Sequence, residues 1–597
     1  MLYINLTNKP IPNVAHDYHY LSEYLLDYDV ATSGRDLSTS CETYPYDELT
    51  ASKVRCTVDS VYHKIWSTVY TELNDLNGVD LNTLFWEFYG SYDFYFFICM
   101  YFERYVEIKR AIVNHAEVLF YIRRRKTNQY YIAKSNLKEN YDDVVSEIDW
   151  QIMSFLGINP IVIEDEVRHD KDPGRIVNSR KMVNEIRENV QFKAKALFLN
   201  TIMRQWMKEG GISFEVGNLS VRERIDYTKH YHHGVWFPIF KNFKISQTEI
   251  NEIFRERVLA KIDYRTESEF EDVFFSSLYK NLFTVFVEDF SSIWRKNRKY
   301  LTINAQCIIR TYFEPDSMMR AGFVYANGGS VVEYSHAFED IIEKIPYCKT
   351  IELCRYSVYW AKNDLTENHH GIYCSDTRLQ MVKSIDYTRN KSIVFVFTDT
   401  ICKYTRNLYE ALVREAGEAY ETHILKPKDL YFSLTPSMKD EICFRVRDTW
   451  NRNCVSFLRS FVDEEHIEDM YTSGISFLER LATSRIVILD SIDTSCYIEA
   501  LLAQIPVIVI TRMDLDKVLM QPMADICHRM RSLDMIVDNA EQAAMIVNKN
   551  YEHIKEWWDM SPRKEVREEL LSKIIPTSSD TRHEWIDEIV RLIRNKE

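Results

Sequence analysis

Short apolar runs alternate with helix-spaced segments through the last third of the chain. Ser392–Phe397 (SIVFVF) is a continuous apolar run of strand length. Arg406–Ala416 reads as a helix stopped by Gly417, Thr422–Lys426 as strand-like, and Arg445–Phe461 as helical. A short helix at Ser476–Ala482 leads to a strand at Arg485–Leu489. Then follow a helix at Thr494–Ala503, a strand at Pro506–Ile510, a short strand at Met535–Val537 and a helix at Ala540–Val547. Apolar strands alternating with helices predict β-α-β units around a parallel sheet covered on both faces. Residues 551–597 read as mainly helical.

The first two thirds are less regular. Residues 58–75 and 80–125 have apolar positions at three- and four-residue spacing, and read as long helices. The second ends in the basic run Arg123-Arg124-Arg125-Lys126, which suits a solvated helix C-terminus. Ile158–Glu164 reads as a strand and Lys181–Trp206 as a helix stopped at Gly210-Gly211. Thr266–Arg295 is helix-like, Leu301–Arg310 strand-like, and a helix is expected from Pro315. No solenoid-period repeat is evident.

Composition narrows the chemistry. The 597 residues carry a net charge of −15, with 46% hydrophobic and 27% charged residues. That is globular, and the acidic balance argues against a nucleic-acid partner. Only 15 glycines occur, none spaced Gly-x-Gly and none at Walker A spacing. A glycine-rich dinucleotide loop and a P-loop are therefore excluded. The twelve cysteines contain no Cys-x-x-Cys pair, so they read as reduced thiols of a cytoplasmic protein. The start, MLYINLTNKPIPN, lacks a signal-peptide pattern. Phe94–Phe102, the most apolar stretch, is about half a membrane span.

The strongest candidate site is Arg485–Ile510. A strand ends at Leu489, a polar turn follows, and a helix opens with Thr494-Ser495. Ligands of open α/β sheets bind beyond the carboxyl ends of strands. A helix N-terminus there offers free N–H groups and a positive dipole end to phosphate. Thr494 and Ser495 add hydroxyl donors, and Glu499, one turn on, suits a ribose hydroxyl. The same residues also make an ordinary N-cap.

Asp-Thr-Ser-x-x-x-Glu-Ala-Leu-x-x-x-x-Pro-Val-Ile, Asp493 to Ile508, resembles the nucleotide-binding half of GT-B glycosyltransferases. The whole chain resembles the leptospiral-type transferase family of bacterial surface-carbohydrate loci. Leu81–Leu119 is similar to its helical block, Phe290–Lys296 to the segment before its central strand, and Glu556-Trp557-Trp558 and Glu584-Trp585-Ile586 to its final helices. The resemblance implies a GT-B-like α/β fold of two Rossmann-like halves. Residues 1–388 would form an acceptor-side half with large helical insertions. Residues 389–550 would bind the nucleotide sugar, and 551–597 would pack back on the N-terminal half.

The family usually carries Gln-His-Gly-Gly where this chain has Ala326-Asn327-Gly328-Gly329. The resemblance therefore points to Asn327 as a catalytic candidate and to Gly328 and Gly329 as donor contacts, with the family histidine lost. Asn327 can hydrogen-bond but cannot act as a general base. His369 and His370 are further catalytic candidates from another loop. Lys428 stands where the family tends to have Pro-His-Asp and can pair with phosphate. Arg406 would open a helix facing the cleft. His230-Tyr231-His232-His233 lacks a carboxylate or cysteine at metal-ligand spacing. Asp514-Leu515-Asp516 reads as a solvated turn, so no metal and no resident cofactor are expected.

The resulting expectation is glycosyl transfer from a nucleotide-activated donor, with a CMP-linked ulosonic acid suggested by the Thr494-Ser495 turn. The acceptor would be a surface glycan, a lipid-linked glycan or a protein, reached by peripheral association at the inner membrane face. The competing readings are a catalytically diverged glycan- or nucleotide-binding protein and an epimerase or phosphorylase of the same fold.

Overall fold

The computed structural model describes residues 47–124, 141–164, 249–261, 266–301, 314–334, 420–446, 454–470, 473–492 and 494–574 as continuous stretches, with strands and short pieces between them. Sixteen strands in three parallel sheets are found among the described residues. The fold class is α/β, with Rossmann-like parallel sheets.

The first sheet, in the order β2-β1-β3-β4, holds β1 (Leu2–Asn5), β2 (His19–Tyr20), β3 (Val118–Arg124) and β4 (Ile161–Glu164). The strand expected at Ile158–Glu164 is here as β4, and one expectation is corrected. The basic run at Arg123-Arg124 ends a strand and not a helix, because Tyr121–Arg124 pairs with Ile161–Glu164.

The helices between β2 and β3 are α1 (Ala51–Asn77), α2 (Thr83–Gly90) and α3 (Asp93–Asn114). Asn82 caps α2 by accepting from the Phe85 amide. The aromatic run buries itself here: Trp66 stacks with Trp86 at 6.3 Å and meets Phe286 edge-on at 5.1 Å. A Cβ on Gly90 would lie 2.3 Å from Trp66 Cζ2. Other rings wedge the indole in place, so Gly90→Ala is expected to destabilise by about 1–3 kcal/mol, the usual cost of overpacking. Thermal unfolding of the variant checks this.

The second sheet runs β10-β9-β8-β7-β5-β6. Its strands are β5 (Gly211–Glu215), β6 (Val235–Trp236), β7 (Ala305–Arg310), β8 (Ser330–Tyr334), β9 (Tyr356–Tyr359) and β10 (Gly371–Tyr373). Helix α4 (Pro315–Ala326) joins β7 to β8 and packs on α2, with Gly322 against the Phe85 carbonyl. Ser91 and Thr350 hydroxyls meet at 2.7 Å, and Lys349 donates to Asp59 at 3.0 Å. The N-terminal helices therefore serve both sheets.

The third sheet holds β11 (Ser392–Phe397), β12 (Ile442–Val446), β13 (Ile467–Asp469), β14 (Ser484–Leu489), β15 (Val507–Ile510) and β16 (Ile536–Val537). Their order is β13-β12-β11-β14-β15-β16. Counted within the sheet this is 3-2-1-4-5-6, the doubly wound dinucleotide-binding order, which reverses between β11 and β14. Around it lie α5 (Tyr420–Ser433), α6 (Ser495–Leu502), α7 (Gln521–Ser532), α8 (Ala540–Asn550) and α9 (Ser561–Ile574).

Two expectations need correction here. Thr422–Lys426 belongs to helix α5 despite Pro427 inside it. Arg445 lies on strand β12, where it pairs with Glu468 of the neighbouring strand. Helix α9 packs on α6 and α7, and Arg563 and Arg567 lie over the Trp557 and Trp558 rings at 4.3 and 4.1 Å. The division at 388/389 falls outside the described residues.

Candidate functional site

In a doubly wound sheet the ligand crevice opens at the carboxyl ends of the strands where the order reverses. In the third sheet those ends are Phe397 of β11 and the Asp490 turn after β14. His423, from the first turn of α5, sits between them. Its ring is 5.5 Å from that of Phe397, and its Nε2 is 3.5 Å from Asp490 Oδ2. Lys426, one turn further along α5, donates from Nζ to His423 Nδ1 (3.1 Å), to the Asp490 carbonyl (3.0 Å) and to the Ile510 carbonyl (2.9 Å).

These side chains are 1% (His423), 2% (Lys426) and 0% (Asp490) exposed. The lysine thus ties the ends of β14 and β15 together. Accepting at Nδ1 leaves His423 protonated at Nε2, toward the Asp490 carboxylate. Burying an ammonium requires that all its donors be engaged, and all three are.

The turn after Asp490 leads to Thr494, the N-cap of α6. Its backbone is extended (φ −103°, ψ 143°), but its hydroxyl does not cap the helix. Thr494 is 8% exposed, and its Oγ1 has no hydrogen-bond partner among the described residues. A buried hydroxyl at a helix N-terminus, unspent on the helix, is free for an anion. Ser495 opens α6, and Glu499 is buried one turn along it.

The other expected residues fall elsewhere. Asn327, Gly328 and Gly329 form a helix stop on the opposite edge of the second sheet. Gly328 has φ +76°, its N–H donates to the Tyr325 carbonyl, and the Gly329 N–H donates to the Val324 carbonyl. This is a Schellman motif ending α4 just before β8. It lies at the amino end of that strand, away from the carboxyl edge where ligands bind. The Asn327 amide donates back to the Phe323 carbonyl at 2.7 Å. In this structure the three residues serve to end α4. Lys428 is exposed on α5. The inward lysine is Lys426, and the helical spacing of His423, Lys426 and Leu430 is the signal that would have identified it.

Arg406, His369, His370 and the His230–His233 run lie outside the described residues. Asp514 caps the helix Leu515–Val518 by accepting from the Asp516 amide, and the Asp516 carboxylate meets His528 at 3.0 Å. Among the described residues no group of three or more His, Cys, Asp or Glu gathers as a metal site.

Beside this site an open cavity of about 240 Å³ lies between α5, the ends of β15 and β16, and the start of α8. Lys426 and Asp429 line one wall, Asn539 and Glu541 the other. Burial chiefly, and then the Glu541 charge, push the Asp429 carboxyl above its ordinary range. No local pattern in the chain marks this pocket, because its walls come from three separate segments.

The model of the LIC12162 family transferase matches residues 9–589. The chain belongs to this transferase family. No curated protein sequence matches it. Among solved structures, the chain is similar to UDP-GlcNAc 2-epimerase from Neisseria meningitidis bound to UDP-GlcNAc, with 10% identity and a TM-score of 0.33, over 64% of this chain and 100% of that one. It is also similar to the wall teichoic acid polymerase TagF, with 11% identity and a TM-score of 0.29, over 69% and 98%. The S. aureus MnaA–UDP co-structure matches at 9% identity and a TM-score of 0.33, over 60% and 94%. Overlaps this loose carry no weight for chemistry; the family match and the site geometry do. Among the described residues no helix is long and apolar enough to cross a membrane.

Proposed function

We propose that this transferase moves a glycosyl group from a nucleotide-activated sugar held at the carboxyl edge of the third sheet. The observation that carries the reading is the Thr494 hydroxyl, buried at the N-terminus of α6 with no hydrogen-bond partner among the described residues, beside the point where the strand order reverses. The donor phosphate would take hydrogen bonds from Thr494, Ser495 and the free N–H groups of α6, and Glu499 would hold the ribose. The positive end of α6 would stabilise the departing nucleotide without a metal or cofactor.

The donor to try first is a CMP-linked ulosonic acid. The acceptor would be a surface glycan or glycoprotein met by the N-terminal half at the cytoplasmic membrane face. Arg406 and the pair His369-His370 remain the further candidates for donor contact and catalysis.

A melting-temperature panel of sugar nucleotides and bare nucleotides tests this. A ligand at 100 times its Kd should stabilise by about 2.7 kcal/mol. The stabilised sugar nucleotide should then release its nucleotide when a glycan acceptor is added. A chain that none of the nucleotides stabilises would contradict the reading. Stabilisation without nucleotide release on glycan, lipid-linked and protein acceptors would point to a diverged binding protein.

A further inference from the structure

We propose that the carboxyl edge of the first sheet holds a phosphate group of a second ligand, distinct from the sugar donor, with Arg123 as its main contact. The strand order β2-β1-β3-β4 is the start of a doubly wound sheet and reverses between β1 and β3. All four strands are parallel, so their carboxyl ends share one edge. A ligand crevice belongs there, at the ends of β1 and β3. The Thr494 turn belongs to the third sheet, so this second site stands independently of the donor site.

The register puts basic residues at that edge. The last partner of β3 on β1 is Asn5, opposite Tyr121. Strand β3 then runs on through Ile122, Arg123 and Arg124, about 10 Å at the rise of a strand. Side chains alternate along a strand, so Asn5, Tyr121 and Arg123 share one face. The Tyr3 and Tyr121 rings, stacked at 5.7 Å, lie on that face too. Asn5 is fully buried at the end of β1, and Arg123 is half-buried beyond it.

Charge selects the ligand. The register sets Arg123 opposite the apolar Ile163 of β4 and Arg124 opposite Glu164. In sequence, β1 is followed by Leu6-Thr7-Asn8-Lys9 and β3 by Arg125-Lys126. The acids Asp165 and Glu166 follow β4, the strand across β3 from β1. The two strands at the reversal thus lead into basic and polar sequence. A helix C-terminus would have accounted for the basic run through its dipole, but Arg123 and Arg124 lie in a strand, and sheets have only small net dipoles. A phosphate accepts the two-pronged hydrogen bonds of a guanidinium, as a point charge on lysine cannot reproduce. The same chemistry suits a soluble phosphate compound and a lipid phosphate headgroup.

The test is equilibrium binding of two probes to the full chain: inorganic pyrophosphate, and phosphatidylcholine vesicles with and without phosphatidic acid. Salt is held at about 0.15 M, where long-range attraction is screened. The reference is Thr494→Val, which suppresses binding at the donor turn. Adding Arg123→Gln should weaken the bound probe about 10-fold or more, and adding Arg124→Gln should cost less. Arg123→Lys, which keeps the charge and loses the fork, should fall between reference and Arg123→Gln. Pyrophosphate bound with vesicles unbound identifies a soluble phosphate ligand. Vesicles bound only with phosphatidic acid identify a lipid headgroup. The melting temperature of the unliganded chain is the control for folding; if Arg123→Gln lowers it, Arg123→Lys is read instead. Affinity unchanged by the Arg123 substitution would overturn the proposal, and so would failure of both probes to bind. Neither result touches the donor reading, which the nucleotide panel tests separately.

Discussion

Lys426→Met should be the most damaging single change in the C-terminal half. Methionine nearly matches the lysine stem in volume, so packing is preserved and the effect isolates the ammonium. Its loss leaves the Asp490 and Ile510 carbonyls and His423 Nδ1 without the donor they share. It also removes a buried positive charge from beside the fully buried Asp490 and His423. Removing one member of a buried charge arrangement typically costs about 3–5 kcal/mol. Denaturant unfolding of the C-terminal transition should show a loss of that size. Because the ammonium holds the turn that leads to Thr494, nucleotide binding should weaken even at temperatures where the variant stays folded. Lys428→Met, on the exposed face two residues on, should do neither.

In the N-terminal half the largest loss is expected from Arg104→Met. Arg104 on α3 makes a two-pronged pair with Asp149, with Nε and Nη2 each 2.8 Å from a carboxylate oxygen, and donates to Glu107 at 3.0 Å. All three side chains are buried. Without the guanidinium, two buried carboxylates face each other, and about 3–5 kcal/mol should be lost at neutral pH.

The pH dependence has a definite sign. Burial already raises the Asp149 carboxyl above its ordinary value, and Arg104 only partly offsets that. Without Arg104 the folded state binds the Asp149 proton still more tightly than the unfolded chain does. Stability of the variant relative to wild type should therefore recover as pH falls from neutral through the raised folded-state value. Unfolding at pH 7 and pH 5 checks it: the deficit should shrink at pH 5.

The third sheet was legible because its strands are fully buried and read as short apolar runs: SIVFVF at 392, and IVIL ending at Leu489. The misread elements are those where charge enters the core. Arg445 disguises β12, since its buried pairing with Glu468 lies in the neighbouring strand and far off in sequence. Arg123 and Arg124 likewise disguise the end of β3. Pro427 hides α5, although a proline within a helix removes only one ladder bond and long-range packing on α8 compensates.

The strand, turn and helix around Thr494 could be placed from sequence because they follow one another locally. The His423–Lys426–Asp490 cluster could not, since its members come from two β-α units and meet only once the sheet is assembled. At Asn327-Gly328-Gly329 the resemblance pointed to a donor contact but not to the local role, in which φ +76° at Gly328 ends a helix.

A nucleotide phosphate held by Thr494 and the N-terminus of α6, with no glycine-rich loop, should depend on the Thr494 hydroxyl. Calorimetric titration of the most stabilising nucleotide into wild type and Thr494→Val measures this directly. Valine keeps the shape and removes only the hydroxyl. A hydrogen bond to a charged group contributes about 1.5–3 kcal/mol, so the variant should bind roughly 10- to 100-fold more weakly with an unchanged melting temperature in the absence of ligand. Equal affinity for the two proteins would contradict the account.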